Sequence, residues 1–250
     1  MRALPWLLGG SAAAVALYYR SRRDRDASDA SNKPGKSDEP DKPDKDAPLP
    51  GRWVWPVGVW QGRKPEITDG FSSKRRTPAG DIITHGGVDL MYRRQPGDTW
   101  RAGTPNGTSN FVMPDARPTL AASDGVVWFA ANTPRGWTVI IDHAPRKLAT
   151  YYTHLSSLLV TTKQKVSAGT PIGIIGADPL DGEHIMHLHF EVWRGGASDR
   201  FDPQPLMLAS WEYVRDPAEP SGTLVARNAK PDASAYGVPV RAHMRRWPHR

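Results

Sequence analysis

The 250-residue chain contains no cysteine. Disulfide staples and thiolate metal sites are excluded, so any metal must be held by histidine and carboxylate, while the redox compartment stays open. Long amphipathic helical patterns and internal repeats are also missing. A clustered basic face is absent too, despite a net charge of +7. Residues 20–50 hold eight basic and eight acidic side chains, residues 51–212 seventeen and fifteen, and residues 213–250 seven and three. The surplus therefore sits mostly in the tail, which argues against nucleic acid as a partner. That tail, ending Arg245-Arg246-Trp247-Pro248-His249-Arg250, reads as a solubilising end, with contact to an acidic envelope polymer or lipid as the alternative.

Composition divides the chain into four stretches. Residues 3–19 are uncharged and lie between Arg2 and Arg20, within a 1–19 segment that reads as a membrane anchor or a signal segment. Tyr18 and Tyr19 suit an interface, whereas Ala14-Val15-Ala16 resembles a leader-cleavage site. The arginines after the segment outnumber the one before it, a bias that by itself keeps the following domain on the cytoplasmic side. Residues 20–50 mix charges with Pro and Ser and have almost no large apolar side chains, the composition of a disordered linker. Its span is roughly 30 Å if flexible and up to about 90 Å if stretched. Residues 51–212 form the candidate catalytic domain, and 213–250 the basic tail.

Within residues 51–212 the punctuation is that of an all-β domain. Gly125–Phe129, Trp137–Ile141, Leu148–Tyr152 and Pro171–Ile175 are short β-branched or aromatic runs bounded by Gly, Pro, Asn and Asp. The stretch from Met91 to Pro118 has no period and reads as a long loop, of a length that is usually functional or disordered.

Chemistry concentrates in His187-Leu188-His189-Phe190-Glu191-Val192-Trp193. The alternation predicts a strand with His187, His189, Glu191 and Trp193 on one face and Leu188, Phe190 and Val192 buried on the other. Same-face neighbours lie about 7 Å apart, so one imidazole can bind a metal while the other sits one solvent molecule away. The plain alternative is a solvent-facing histidine pair on an edge strand. Upstream, Thr84-His85-Gly86-Gly87-Val88-Asp89-Leu90 puts His85 and Asp89 on one side of an extended segment. With His189 they make two imidazoles and a carboxylate, a common set for Zn²⁺ with an open fourth position. His154, in Tyr151-Tyr152-Thr153-His154-Leu155-Ser156, and His143, after Ile140-Ile141, read on their own as structural.

Taken in order, His-x-x-x-Asp, Tyr-x-x-His-Leu-Ser and His-Leu-His-Phe-Glu-Val resemble the lysostaphin-like zinc endopeptidases of bacterial cell walls. Further matches fall at Ile67–Phe71, Ala121–Val127, Ile140–His143 and Val166–Gly173, so the resemblance covers residues 53–208. It implies a compact antiparallel β-sheet or sandwich with a groove along the sheet, cutting peptide bonds in peptidoglycan stem peptides or cross-bridges. It also implies one zinc per chain on His85, Asp89 and His189, with His154 and His187 as the catalytic imidazoles flanking a metal-bound water. His184 and Glu191 are weaker alternative ligands. A non-catalytic wall-binding or hydrolase-regulating relative should have lost ligands, and this chain has lost none. The expected location is the cell envelope, attached through residues 3–19 and facing peptidoglycan, with a secreted or phage-virion protein as the alternative. Oligomeric state is not indicated. Three departures from the family pattern surround the expected groove: Ser72 where glycine is usual, the Met91–Pro118 loop, and Ala177–Met186 before His187. The loop is expected to begin at the metal site and wall one side of the groove.

Overall fold

A computed structural model describes residues 49–76, 80–98, 110–144, 146–180, 185–194, 196–197 and 199–218. The apolar segment 3–19, most of the linker, His184 and most of the tail lie outside them. Among the described residues no helix is long and apolar enough to cross a membrane.

The all-β reading holds. One antiparallel sheet is built on β1 (Pro65–Asp69), β4 (Val88–Arg93), β12 (Leu188–Trp193), β9 (Ala149–Leu158), β8 (Gly136–Asp142), β7 (Gly125–Thr133) and β10 (Lys165–Val166), in that spatial order. Short strands β5 (Phe111–Val112), β6 (Pro118–Leu120), β11 (Pro171–Ile175) and β13 (Arg200–Phe201) extend it. A separate hairpin pairs β2 (Lys74–Arg76) with β3 (Ile82–Thr84), and one short helix, α1 (Gln204–Ser210), packs Leu206 and Met207 inward.

Period-two alternation explains how the sheet is buried. Val88, Leu90 and Tyr92 of β4, Leu188, Phe190 and Val192 of β12, and Val139 and Ile141 of β8 join one main core. Trp53, Trp55, Val57 and Trp60 from the segment before β1 join the same core, and Trp53 stacks on Trp211 at 4.9 Å. The opposite face is not open to water as an edge-strand reading of β12 would have it. There Tyr151, Trp193, Ile140, Ala149 and Ala197 form a second, smaller cluster, and β12 is central, paired with both β4 and β9.

Strand β9 changes partner half-way along. Thr153 and the residues before it pair with β12, whereas Leu155, Ser157 and Leu158 pair with β11. His154 sits at the fork with φ 65°, a left-handed conformation rare for a residue with a Cβ. Gly176 bridges the opening: its N–H donates to the His154 carbonyl at 2.7 Å, and its own carbonyl accepts from the His187 N–H at 3.1 Å. A Cβ there would lie 2.9 Å from the Ser156 nitrogen, so the bridge requires glycine. Ser72, with φ 63°, takes the same left-handed conformation, which is the physical reason glycine suits that position.

The long-loop expectation is corrected. Met91, Tyr92 and Arg93 complete β4, and Tyr92 and Arg93 pair with Val112 and Phe111. The excursion therefore leaves β4 at Arg94, which at about 3.3 Å per residue is roughly 16 Å along the chain from Asp89. Its stems are anchored there. Arg94 N–H donates to the Asn110 carbonyl at 2.8 Å, and Arg63 grips Asp98 through two bonds of 2.6 and 2.9 Å. Arg117 is buried against Asp216 at 2.8 Å, so it is no groove residue. Residues 99–109 lie outside the described residues.

Candidate metal centre

β4 and β12 are neighbours, and the register pairs Asp89 with His189. Both sit on the strand face opposite the main core. His85 arrives from the β3–β4 turn, where its N–H donates to the Ser73 carbonyl at 2.8 Å and its carbonyl accepts from Ser72 at 2.9 Å. The two glycines that follow make the approach possible. A Cβ at Gly87 would lie 2.2 Å from the Phe190 carbonyl oxygen, and one at Gly86 would meet the Arg200 guanidinium.

Three side-chain atoms converge. His85 Nε2 lies 2.9 Å from His189 Nδ1, and Asp89 Oδ1 lies 3.1 Å from each. Their outer partners fix what they offer. His85 Nδ1–H donates to the Gly70 carbonyl at 2.9 Å, and His189 Nε2–H donates to Glu191 Oε1 at 2.9 Å. In the neutral imidazoles the nitrogens turned inward therefore carry lone pairs. Two imidazole lone pairs and a carboxylate oxygen this close repel unless positive charge lies among them. A tetrahedral zinc with its usual bond lengths holds ligand atoms about 3.3 Å apart, close to the triangle found here, so the donor set fits such an ion.

The electrostatics agree with that demand for a cation. Burial alone would raise the Asp89 carboxyl, but the surrounding imidazoles of His189, His85 and His187, which favour its charged form, outweigh that and hold it well below its ordinary value. Burial likewise opposes charge on His189, yet Asp89 and Glu191 push that imidazole up to about 9. The second oxygen of Asp89 is taken by Arg75 of β2, which also donates from Nε to Asp69 at 2.7 Å. Asp89 is thereby left with Oδ1 as its ligating atom.

His187 and His154 flank the triangle. Their ring centroids are 4.7 Å apart, and His154 is 5.6 Å from His189. His187 Nδ1–H donates to the Ile185 carbonyl at 3.1 Å, leaving Nε2 buried, 3.7 Å from Asp89 Oδ2 and without a hydrogen-bond partner. An orphaned buried acceptor beside a cation site is suited to a solvent molecule or substrate. His154 Nδ1–H donates to the Arg135 carbonyl at 3.2 Å. Burial first, then the imidazoles of His187 and His189, hold its pKa well below the ordinary histidine value.

Residues 104–203 match the model of Peptidase family M23. Over that stretch the chain is similar to peptidase family M23 domains. The matched stretch includes His154, His187 and His189 and begins after His85 and Asp89, which the fold brings to them. A peptidoglycan DD-endopeptidase, ShyA of Vibrio cholerae serotype O1, is 41% identical over 96 residues, 38% of this chain. The chain spans only 21% of that protein's length. Among solved structures, the SpoIIQ–SpoIIIAH pore-forming complex matches 63% of this chain and 91% of its own at 20% identity and a TM-score of 0.46. The catalytic domain of lysostaphin from Staphylococcus simulans matches 59% and 93% at 23% identity and a TM-score of 0.42.

Glu191, the weaker alternative ligand of the sequence reading, stands behind His189 as its hydrogen-bond acceptor and not inside the ligand triangle; its place on the same strand face was the available signal. Trp193 Nε1 donates to its other oxygen at 2.6 Å, and Arg200 lies 3.4 Å from Oε1. Arg75, Arg135 and Asp178 gave no such signal. His143 is as expected structural: Nδ1–H donates to the Asp124 carbonyl and Nε2 meets Thr150 Oγ1, both at 2.8 Å.

Proposed function

We propose that this chain is a zinc-dependent endopeptidase that hydrolyses peptide bonds in the stem peptides or cross-bridges of bacterial peptidoglycan. The observation that carries the reading is the inward convergence of lone pairs from His85, Asp89 and His189 beside two further imidazoles. Zinc held by those three would polarise the scissile carbonyl and lower the pKa of a water ligand. The rest falls to His154 and His187. Both give Nδ1–H to a backbone carbonyl and keep Nε2 as an acceptor. His154 is neutral at pH 7, as a base must be before it acts. One imidazole takes the proton of the attacking water as its oxygen adds to the carbonyl carbon. As the C–N bond breaks, the pair returns that proton to the departing amine nitrogen. Residues 3–19 would tether the domain to a membrane facing the wall through the 20–50 linker.

The test is elemental analysis alongside turnover. Wild type should hold one zinc per chain, and His85→Ala or Asp89→Ala should lose it. His154→Ala should keep zinc and lose roughly 10²- to 10⁴-fold in turnover, the usual contribution of a positioned acid or base. A metal-free wild type that still cleaves contradicts the proposal.

A further inference from the structure

Arg135, at the β7–β8 turn, is fixed at both ends beside the imidazole pair. Its carbonyl accepts from the His154 N–H at 3.2 Å, from His154 Nδ1–H at 3.2 Å and from the Thr153 hydroxyl at 3.1 Å. Its guanidinium turns back toward the same histidine. Nη1 donates to Asp178 Oδ2 at 2.7 Å, and that oxygen lies 3.7 Å from His154 Nε2. One carboxylate oxygen thus separates the guanidinium from the imidazole.

Asp178 is held in turn. Its Oδ1 accepts from the Leu180 N–H at 2.9 Å, and its side chain is 7% exposed, whereas that of Arg135 is 43% exposed. An ion pair serving stability alone gains little from an exposed partner. What the arrangement achieves is an immobilised cation at the mouth of the site. Asp178 occupies Nη1, leaving the Nε–Nη2 edge of the fork, two parallel N–H donors whose spacing matches the two oxygens of a carboxylate. The adjacent Asp178 charge disfavours a polyanion such as phosphate relative to a singly charged carboxylate. Exposed Trp137 and Leu180, each two residues from a member of the pair, supply apolar surface beside it.

From this geometry we infer that Arg135 is a specificity-determining residue that binds a free carboxylate on the substrate next to the scissile bond. The site then selects peptides whose acidic group is unmodified over those in which it is amidated. The inference rests on the hydrolase reading for which bond is cut, but its test does not depend on cleavage. Asp178 lies in the 177–186 segment where the chain departs from the family pattern, and Arg135 reaches it from across the site.

The experiment measures binding by calorimetry to the zinc-loaded full chain. Two uncleavable peptides are compared, each with the scissile amide replaced by a methylene-amine and differing only in a free carboxylate or a primary amide on the residue beside it. Wild type should favour the carboxylate roughly tenfold to a hundredfold, as expected for a charge-assisted fork. Arg135→Gln should bind both alike with unchanged zinc content and melting temperature, and Arg135→Lys should keep part of the preference. Equal binding by wild type, or an undiminished preference in Arg135→Gln, overturns the inference. Hydrolysis of the cleavable parent peptides is followed separately: a carboxylate preference without hydrolysis supports the role of Arg135 and contradicts the hydrolase reading.

Discussion

Replacing Glu191 with glutamine separates a residue that tunes a proposed metal ligand from one that only fills space. Glu191 is buried, and its two oxygens accept from His189 Nε2–H at 2.9 Å and from Trp193 Nε1–H at 2.6 Å. A glutamine of the same shape has one oxygen and one NH₂ to offer these two donors. If the oxygen faces His189, the NH₂ meets the indole N–H and a buried donor is left unpaired, costing about 1–3 kcal/mol. If the NH₂ faces His189, the imidazole must move its proton to Nδ1, and the lone pair leaves the ligand triangle. Both orientations also surrender a charge-assisted bond. We expect Glu191→Gln to lose about 1–3 kcal/mol in urea unfolding of the metal-free protein and roughly 10- to 100-fold in zinc affinity. Competition against a chromogenic chelator reads the second quantity. Zinc affinity within threefold of wild type, with stability reduced, would refute the assigned role.

Three other outcomes follow from the structure. Burial lowers the pKa of His143 from 6.5 to about 4, so between those values the unfolded chain binds a proton that the folded chain does not. The stability this neutral imidazole contributes is complete above pH 6.5 and declines by about 3 kcal/mol as pH falls to 4; urea melts across that window should be flatter in pH for His143→Gln, and equal slopes would contradict the assignment. Gly87→Ala places a Cβ 2.2 Å from the Phe190 carbonyl oxygen and 2.8 Å from Glu191 Cγ, which should part β4 from β12 and cost about 1–3 kcal/mol by overpacking together with zinc binding, as read by thermal melts and metal content. Replacing residues 99–109 with a short Gly-Ser segment should leave zinc affinity and melting temperature unchanged, because the stems are anchored at Arg94, Asn110 and Asp98 far along β4; loss of zinc in that variant would show that the segment supports the metal centre.

That His85 shares a side with Asp89, and His187 with His189, was legible in the sequence because period two and the glycines after His85 are local signals; the chemistry of the donor set joined the two stretches. The same alternation correctly sent Leu188, Phe190 and Val192 to the main core. What was illegible depends on partners distant in the chain. Nothing in Tyr151–Leu158 announces that β9 changes neighbours at His154, since the turn is made by a histidine held in a left-handed conformation and not by a glycine. Arg75 reaches Asp89 through the β2–β3 hairpin, and Arg135 reaches Asp178 across the site. Neither contact has a spacing to read. The loop reads longer than it is because β5 has only two residues, too few to display a period, and because the last residues of β4, Met91-Tyr92-Arg93, run straight into a stretch rich in Gly, Pro and Arg.

Digestion of purified peptidoglycan by the zinc-loaded protein, with mass analysis of the released fragments, tests the central claim most directly. The account predicts muropeptide fragments carrying a newly freed amine and carboxylate at one peptide bond. Those fragments should appear with wild type and form roughly 10²- to 10⁴-fold more slowly with His154→Ala of equal zinc content. No release by zinc-loaded wild type, or the same fragments from His154→Ala at an equal rate, would contradict it.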